Sequence, residues 1–174
     1  MIRLLSALSV LALPTISYAA RPEPIGARAF AQHVIQTVLS DDNDMQGKQY
    51  LSLFAPRLRN AIAADLKRDL VALETESRGV VQASAYGLLD EEPICHCQFA
   101  RGVRIIIHSI TGGQKAARIA TEVRDADGKS TKVTWDIIRE RDAWAISDLE
   151  ERDVRPPSLL IALERHDRPA SNGN

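Results

Sequence analysis

Val103-Arg104-Ile105-Ile106-Ile107-His108-Ser109-Ile110, followed by Thr111-Gly112-Gly113, is the stretch on which the fold turns. A β-branched run bounded by a glycine turn reads as a strand. Downstream, the apolar residues recur at every second position. Ala117, Ile119, Thr121 and Val123 alternate with Arg118, Ala120, Glu122 and Arg124. Asp125-Ala126-Asp127-Gly128 turns the chain, and Thr131–Arg139 forms a third strand with Val133, Trp135 and Ile137 on one side. Glu140-Arg141-Asp142 connects tightly to a fourth strand, Ala143–Leu149, which carries Trp144 and Ile146. Three short turns between four strands argue for an antiparallel meander, because parallel strands need long crossovers.

Upstream the period is helical. Between Pro24 and Leu39, residues Ile25, Phe30, Ala31, Val34, Ile35 and Val38 mark one stripe. Ser40-Asp41-Asp42-Asn43-Asp44 ends that helix in a polar turn; it lacks the Gly and the distal Glu of an EF-hand loop. Pro56 suits a first helical position. From there to about Leu73, the residues Leu58, Ile62, Leu66 and Leu70 recur every four positions. Arg57, Arg59, Asp65, Lys67, Arg68 and Asp69 fill mostly other faces, so an amphipathic helix is expected to lay its Leu/Ile stripe on an apolar surface. Pro156-Pro157 stops the sheet, and Ser158–Arg165 has the makings of a short helix. Helices followed by a meander define an α+β domain, with helices covering one face of a curved antiparallel sheet.

The two ends of the chain read differently from this centre. Met1-Ile2-Arg3 is a short positive start, Leu4 to Leu13 is dominated by Leu, Ala and Val, and Ser17-Tyr18-Ala19 places small residues where a signal peptidase reads them. Residues 1–19 are therefore expected to be a signal peptide cleaved after Ala19, with 20–165 a single domain and 166–174 a flexible tail. The apolar run is short for about 30 Å of hydrocarbon, and no Cys directly follows it. No stable membrane anchor is expected. Taking 19 of the 174 residues away leaves 155, enough for one ordinary domain. Arg3 leaves with the leader, so 21 basic residues then face 23 acidic ones. That balance gives no reason to expect nucleic-acid binding.

Several segments carry a family resemblance. Tyr50 with Phe54-Ala55-Pro56-Arg57-Leu58, the middle segment Asp90-Glu91-Glu92-Pro93-Ile94-Cys95-His96-Cys97-Gln98, and the strand Trp144-Ala145-Ile146-Ser147-Asp148-Leu149 resemble the bacterial DUF3828 group of exported proteins within the NTF2-like superfamily. The resemblance spans about residues 28–164. It departs from the group's pattern where Phe99 replaces the Asp that usually follows the Gln, and Cys97 is an extra thiol. What it implies is a cone-shaped NTF2-like/cystatin-like fold, a Gram-negative periplasm as the address, and Gln98 as a pocket candidate. Domains of this shape serve both as enzymes and as noncatalytic binders, so fold alone does not choose between them.

Cys95-His96-Cys97 is the most distinctive local feature. In an extended chain the two cysteines share a face with Cα atoms about 6.5 Å apart, near the upper limit for a disulfide. A turn would shorten that distance, and an oxidising compartment favours the bond. A disulfide between chains, two buried thiols, or a metal held by Cys95, His96 and Cys97 are the alternatives. Zinc asks for four ligands, and this segment supplies at most three. No cofactor is indicated.

Asp136 and Asp148 lie on adjacent strands and are the acids able to approach one another, with His108 or Tyr50 as hydrogen-bond partners. Together these four residues are the catalytic candidates. By strand parity, Asp136 lies opposite Trp135, whereas Asp148 is in phase with Trp144 and Ile146. Trp135, Trp144, Gln98 and Asp148 are the pocket candidates, although core packing is the primary expectation for both tryptophans. No phosphate cradle, nucleophile elbow or zinc-protease helix occurs.

The function expected is a noncatalytic periplasmic binding or protein-interaction domain. Its partner is an unknown protein or a small apolar ligand, and a homodimer through the sheet is possible. Two alternatives stand beside it: an immunity protein against a secreted toxin, and a small isomerase- or hydrolase-type pocket enzyme using an acid.

Overall fold

A computed structural model of the chain describes residues 23–40, 44–77, 89, 92–95, 97, 100–151 and 155–167. The expected leader 1–19, together with Asp41, Asp42, Asp90, His96 and Gln98, lies outside them. The element order is α1 (Ala27–Val38), α2 (Lys48–Leu51), α3 (Pro56–Ser77), β1 (Arg104–Gly112), β2 (Ala116–Arg124), β3 (Ser130–Glu140), β4 (Ala143–Glu151) and α4 (Leu159–His166). The strands form one antiparallel sheet in the order β1-β2-β3-β4, so the architecture is α+β with an open meander. β1 takes in Thr111 and Gly112, which the sequence reading assigns to a turn, and β4 runs two residues past Leu149.

Alternation decides which face of the sheet is buried. Ile110 pairs with Ile119, Ile119 with Trp135, and Trp135 with Leu149, drawing one apolar row across all four strands. Each of these side chains is buried. Val123, Val133, Ile137 and Ile146 extend the row into a continuous core with Ala31 and Val34 of α1 and Leu58 and Ile62 of α3. The opposite face carries Arg118, Glu122, Asp136 and Asp148.

The turns follow from local chemistry. Arg141 and Asp142 both take positive φ, 46° and 72°, which is the type I′ geometry that matches the twist of a two-residue hairpin. The Asp125 carboxylate accepts from the Asp127 and Lys129 amides, and Gly128 supplies the positive φ needed between β2 and β3.

Two bulges break the period-two count. The β1–β2 register shifts between Ile107 and Ser109, leaving His108 as the additional residue. The β3–β4 register shifts so that Asp136 faces Asp148 while Ile137 faces Ile146, with Ser147 inserted between them. Past Ser147 the parity reverses: Leu149 points inward and Asp148 outward. Asp148 is therefore not in phase with Trp144 and Ile146, correcting the parity expectation.

The long helix carries a second correction. Leu58, Ile62 and Leu66 are buried, but Leu70 is 50% exposed. Residues four apart drift by about 40° per step around a helix of 3.6 residues per turn, so Leu70 has rotated about 120° from Leu58. Asp65 and Ala72, seven and fourteen positions after Leu58, stay near its azimuth, and both are buried. Asp65 thus belongs to the packed face, not to the polar one. Ile25, assigned by spacing to the first helix's stripe, precedes α1 and is 72% exposed; its carbonyl accepts a hydrogen bond from Trp144 Nε1 at 3.0 Å.

The helices are tied to the sheet through β4. Ala55 N donates to Ile146 O at 2.7 Å and Ile146 N to Leu53 O at 2.8 Å, a short parallel pairing just before α3. Glu151 N donates to Pro157 O at 2.9 Å as the chain turns toward α4. α4 runs through His166, one residue into the segment read as tail, and Asp167 pairs with Arg68 at 2.7 Å. No helix among the described residues is long and apolar enough to cross a membrane.

Candidate functional site

The acidic pair expected on the sheet exists as a register pair, since Asp136 and Asp148 face each other across β3 and β4. Each carboxylate already has a structural task. Asp136 receives a bidentate bond from Arg118, at 2.7 and 2.8 Å, and Arg118 also reaches Glu150 at 3.2 Å. The guanidinium is pushed above its ordinary value, first by the Asp136 hydrogen bonds and then by the charges of Asp136, Glu150 and Asp148. Asp148 accepts from Ser158 Oγ at 2.6 Å and from Leu160 N at 3.0 Å, holding the start of α4 to β4. Ser158 in turn caps α4 by accepting from Ile161 N.

His108 sits apart from both, on the bulge of β1. Its Nε2 lies 2.9 Å from Glu122, and the side chain is 49% exposed. Arg124 and His108 together hold the Glu122 carboxyl below the usual range. Trp135 and Trp144 are core residues lining neither groove described below. The Trp135 indole N–H has no acceptor among the described residues, and Arg139 stacks over Trp144 at 6.0 Å from the ring centroid.

Tyr50 is buried on α2, and its hydroxyl donates to Glu92 Oε1 at 2.5 Å. Glu92 is itself buried. Its second oxygen accepts from the main-chain amides of Ile94 at 2.9 Å and Cys95 at 2.6 Å. Glu92 N donates back to Cys97 O at 3.3 Å, closing a small loop. Burial raises the Glu92 carboxyl to about 7, against the three hydrogen bonds from Tyr50, Cys95 and Ile94 that favour its charged form. The Tyr50 hydroxyl is pushed well above its ordinary value, first by burial and then by the neighbouring Glu92 charge.

The turn at Pro93–Cys95 brings the Cys95 and Cys97 Cα atoms to 5.2 Å, and the two sulfurs form a disulfide. That distance is shorter than the extended chain allows and lies within disulfide geometry. With both sulfurs bonded to each other neither is a thiolate, so the Cys95, His96 and Cys97 set is not a metal site in this state. Such a bond is compatible with an oxidising compartment.

Sequence reasoning missed both Glu92 and Asp65. Glu92 has a local signal: a carboxylate followed by Pro, with amides two and three residues on, is positioned to cap its own turn. Asp65 has only its azimuth on α3. It accepts from Leu89 N at 2.8 Å and lies 3.3 Å from Arg68 and 3.5 Å from His166 Nδ1, joining α3 to the end of α4.

Two open grooves lie among the described residues. One, of about 470 Å³, lies between α1 and the α2 turn and is lined by His33, Gln36, Thr37, Asp44, Lys48 and Tyr50, among others. The other, of about 220 Å³, lies on the outer sheet face around Arg118, Thr134 and Glu150. Tyr50 borders the first groove, whereas Asp136, Asp148 and His108 line neither. Tyr50, His108, Asp136 and Asp148 each have a different hydrogen-bond partner: Glu92, Glu122, Arg118 and Ser158.

The fold and grooves define an α+β domain of helices on an antiparallel meander, with open polar clefts. No family model and no curated protein matches the chain. Among solved structures, it is similar to a phospholipid-binding protein from Ralstonia solanacearum determined in complex with a phospholipid. The TM-score is 0.35 and the identity 10%, over 77% of this chain and 59% of that protein. The chain thus spans less than two thirds of that structure's length.

Proposed function

We propose that this chain is an exported, noncatalytic binding domain of the NTF2-like type, related to the DUF3828 group, and that it holds a polar surface of a partner protein in the groove between α1 and α2. The observation that carries this reading is the groove itself. It is open and roomy, and exposed His33, Gln36, Asp44 and Lys48 offer donors and acceptors of both signs around its rim. Such a lining suits hydrogen bonding at a wet interface. The noncatalytic part rests on Asp136, Asp148 and His108, which are each engaged by a different structural partner. General acid–base work needs such groups within hydrogen-bond reach of one reacting centre.

A photoreactive residue placed at Gln36 in the mature protein is expected to give a discrete protein adduct under native conditions. The same probe at Arg124, on the outer face at the far end of β2, is expected to give none. Reversing the groove charge with His33→Glu and Lys48→Glu should abolish the adduct without lowering the melting temperature. Equal labelling from both positions, or an adduct insensitive to the charge reversal, would overturn the proposal.

A further inference from the structure

The loop from Glu92 to Cys97 joins a disulfide to a buried acid. The Cys95–Cys97 disulfide closes the loop at one end. Immediately beside it, the Ile94 and Cys95 amides converge on one oxygen of Glu92. The other oxygen takes the Tyr50 hydroxyl, which is where the loop meets α2. Among the described residues, Tyr50 is the titratable side chain facing Glu92; its remaining contacts are main-chain amides. Ile94 and Cys95 are buried, while Cys97 is partly exposed, so a reductant meets Cys97 first.

We propose that Cys95–Cys97 is a redox switch coupled to the proton on Glu92, in which reduction releases the Ile94 and Cys95 amides and the carboxylate takes up a proton from solvent. The reductant is a dithiol. One thiolate attacks Cys97 Sγ, the sulfur–sulfur bond breaks, and Cys95 leaves as a thiolate that is then protonated. The second reductant thiol displaces Cys97 and closes the reductant's own disulfide. Two electrons and two protons pass from the dithiol to the protein, whose disulfide becomes two thiols.

The coupling follows from the hydrogen bonds. With the disulfide formed, the two amides are fixed where they stabilise the charged carboxylate. In the dithiol form those donors are free to leave, yet the carboxyl stays walled off from water, so its protonated form gains. Linkage makes the effect reciprocal: an ionised Glu92 favours the disulfide, and a protonated one favours the dithiol. Mild acidity therefore sensitises the bond to reduction.

The test is the equilibrium of the mature protein with dithiothreitol between about pH 6 and 8, a range that runs above the value of about 7 held by Glu92 in the disulfide form, quantified by acid quench, alkylation and intact mass. Free thiols ionise near pH 8.5, so on both sides of this exchange they stay largely protonated. The reduction constant of the native protein is expected to fall as pH rises, by up to about tenfold for each unit that separates the Glu92 pKa values of the two redox forms. Glu92→Gln should flatten the profile. Tyr50→Phe, which keeps the carboxyl and removes one of its donors, should displace the slope to higher pH and serves if the Gln variant does not fold. A flat profile in the native protein, or an equal slope in a folded Glu92→Gln, would overturn the proposal.

Discussion

Glu92 shows how one buried side chain carries two opposed tendencies. Three donors address its carboxylate, yet burial wins and lifts the group to about 7. In the unfolded chain the same group titrates near 4.5. The folded value is therefore the raised one, so the native state binds the proton more tightly between those values. Stability assigned to Glu92 is full below about 4.5 and is lost as pH climbs through about 7. The difference in unfolding free energy between the native protein and Glu92→Gln should change by a few kcal/mol across that window and level off above it. Denaturant titrations at pH 5 and pH 8 measure it, and a constant difference would refute the assignment. Asp65 makes a simpler prediction. Asp65→Ala strands Leu89 N and removes an acidic partner of Arg68 and His166, costing about 2–4 kcal/mol. Asp65→Asn retains an acceptor for Leu89 N and should cost less, as read from denaturant midpoints.

At the scale of elements, the β3–β4 turn holds two non-glycine residues in the left-handed region. Replacing Arg141 and Asp142 with Asn and Gly relieves that conformation and should raise stability by about 1 kcal/mol. Asp142→Val should lower it by at least as much, because a β-branched side chain resists positive φ. Thermal melts of the two variants should move in opposite directions. The strands themselves were legible because alternation and turn chemistry coincide at Ile119, Val123, Val133, Trp135 and Ile137. The bulges were not. Ser147 looks like any other strand residue, yet inserting it sends Asp148 outward and Leu149 inward, opposite to the parity count. Likewise, a spacing of four marked Leu70 as buried, whereas helix geometry carries it away from the core and brings Asp65 in. The disulfide was legible as the favoured state of Cys95 and Cys97. For Glu92 only the capping of its own turn had a local signal; its burial did not, because the Tyr50 hydroxyl it meets lies some forty residues upstream.

For the whole molecule, export and oxidation make one joint prediction. Expressed with its leader in a Gram-negative host, the chain should be recovered from the periplasm beginning at Ala20, and its intact mass should rise by about 2 Da on reduction. A start at Met1, or an unchanged mass after denaturing reduction, would contradict it. With 22 basic and 23 acidic residues in the full chain, no large charge imbalance favours polyanions.

The pairing of Leu53–Ala55 with Ile146 bears on how such a chain is born. Phe54 meets a strand about 90 residues further along, whereas the β1–β4 hairpins join neighbours in sequence. A polypeptide delivered from its N-terminus therefore presents α1, α2 and α3 long before their docking surface exists. The sheet is able to assemble from local contacts, but Leu58 and Ile62 stay uncovered until β4 has emerged. Docking of α3 is thus a long-range event, and an unfinished chain ending before Ala143 lacks the strand with which Leu53–Ala55 pairs.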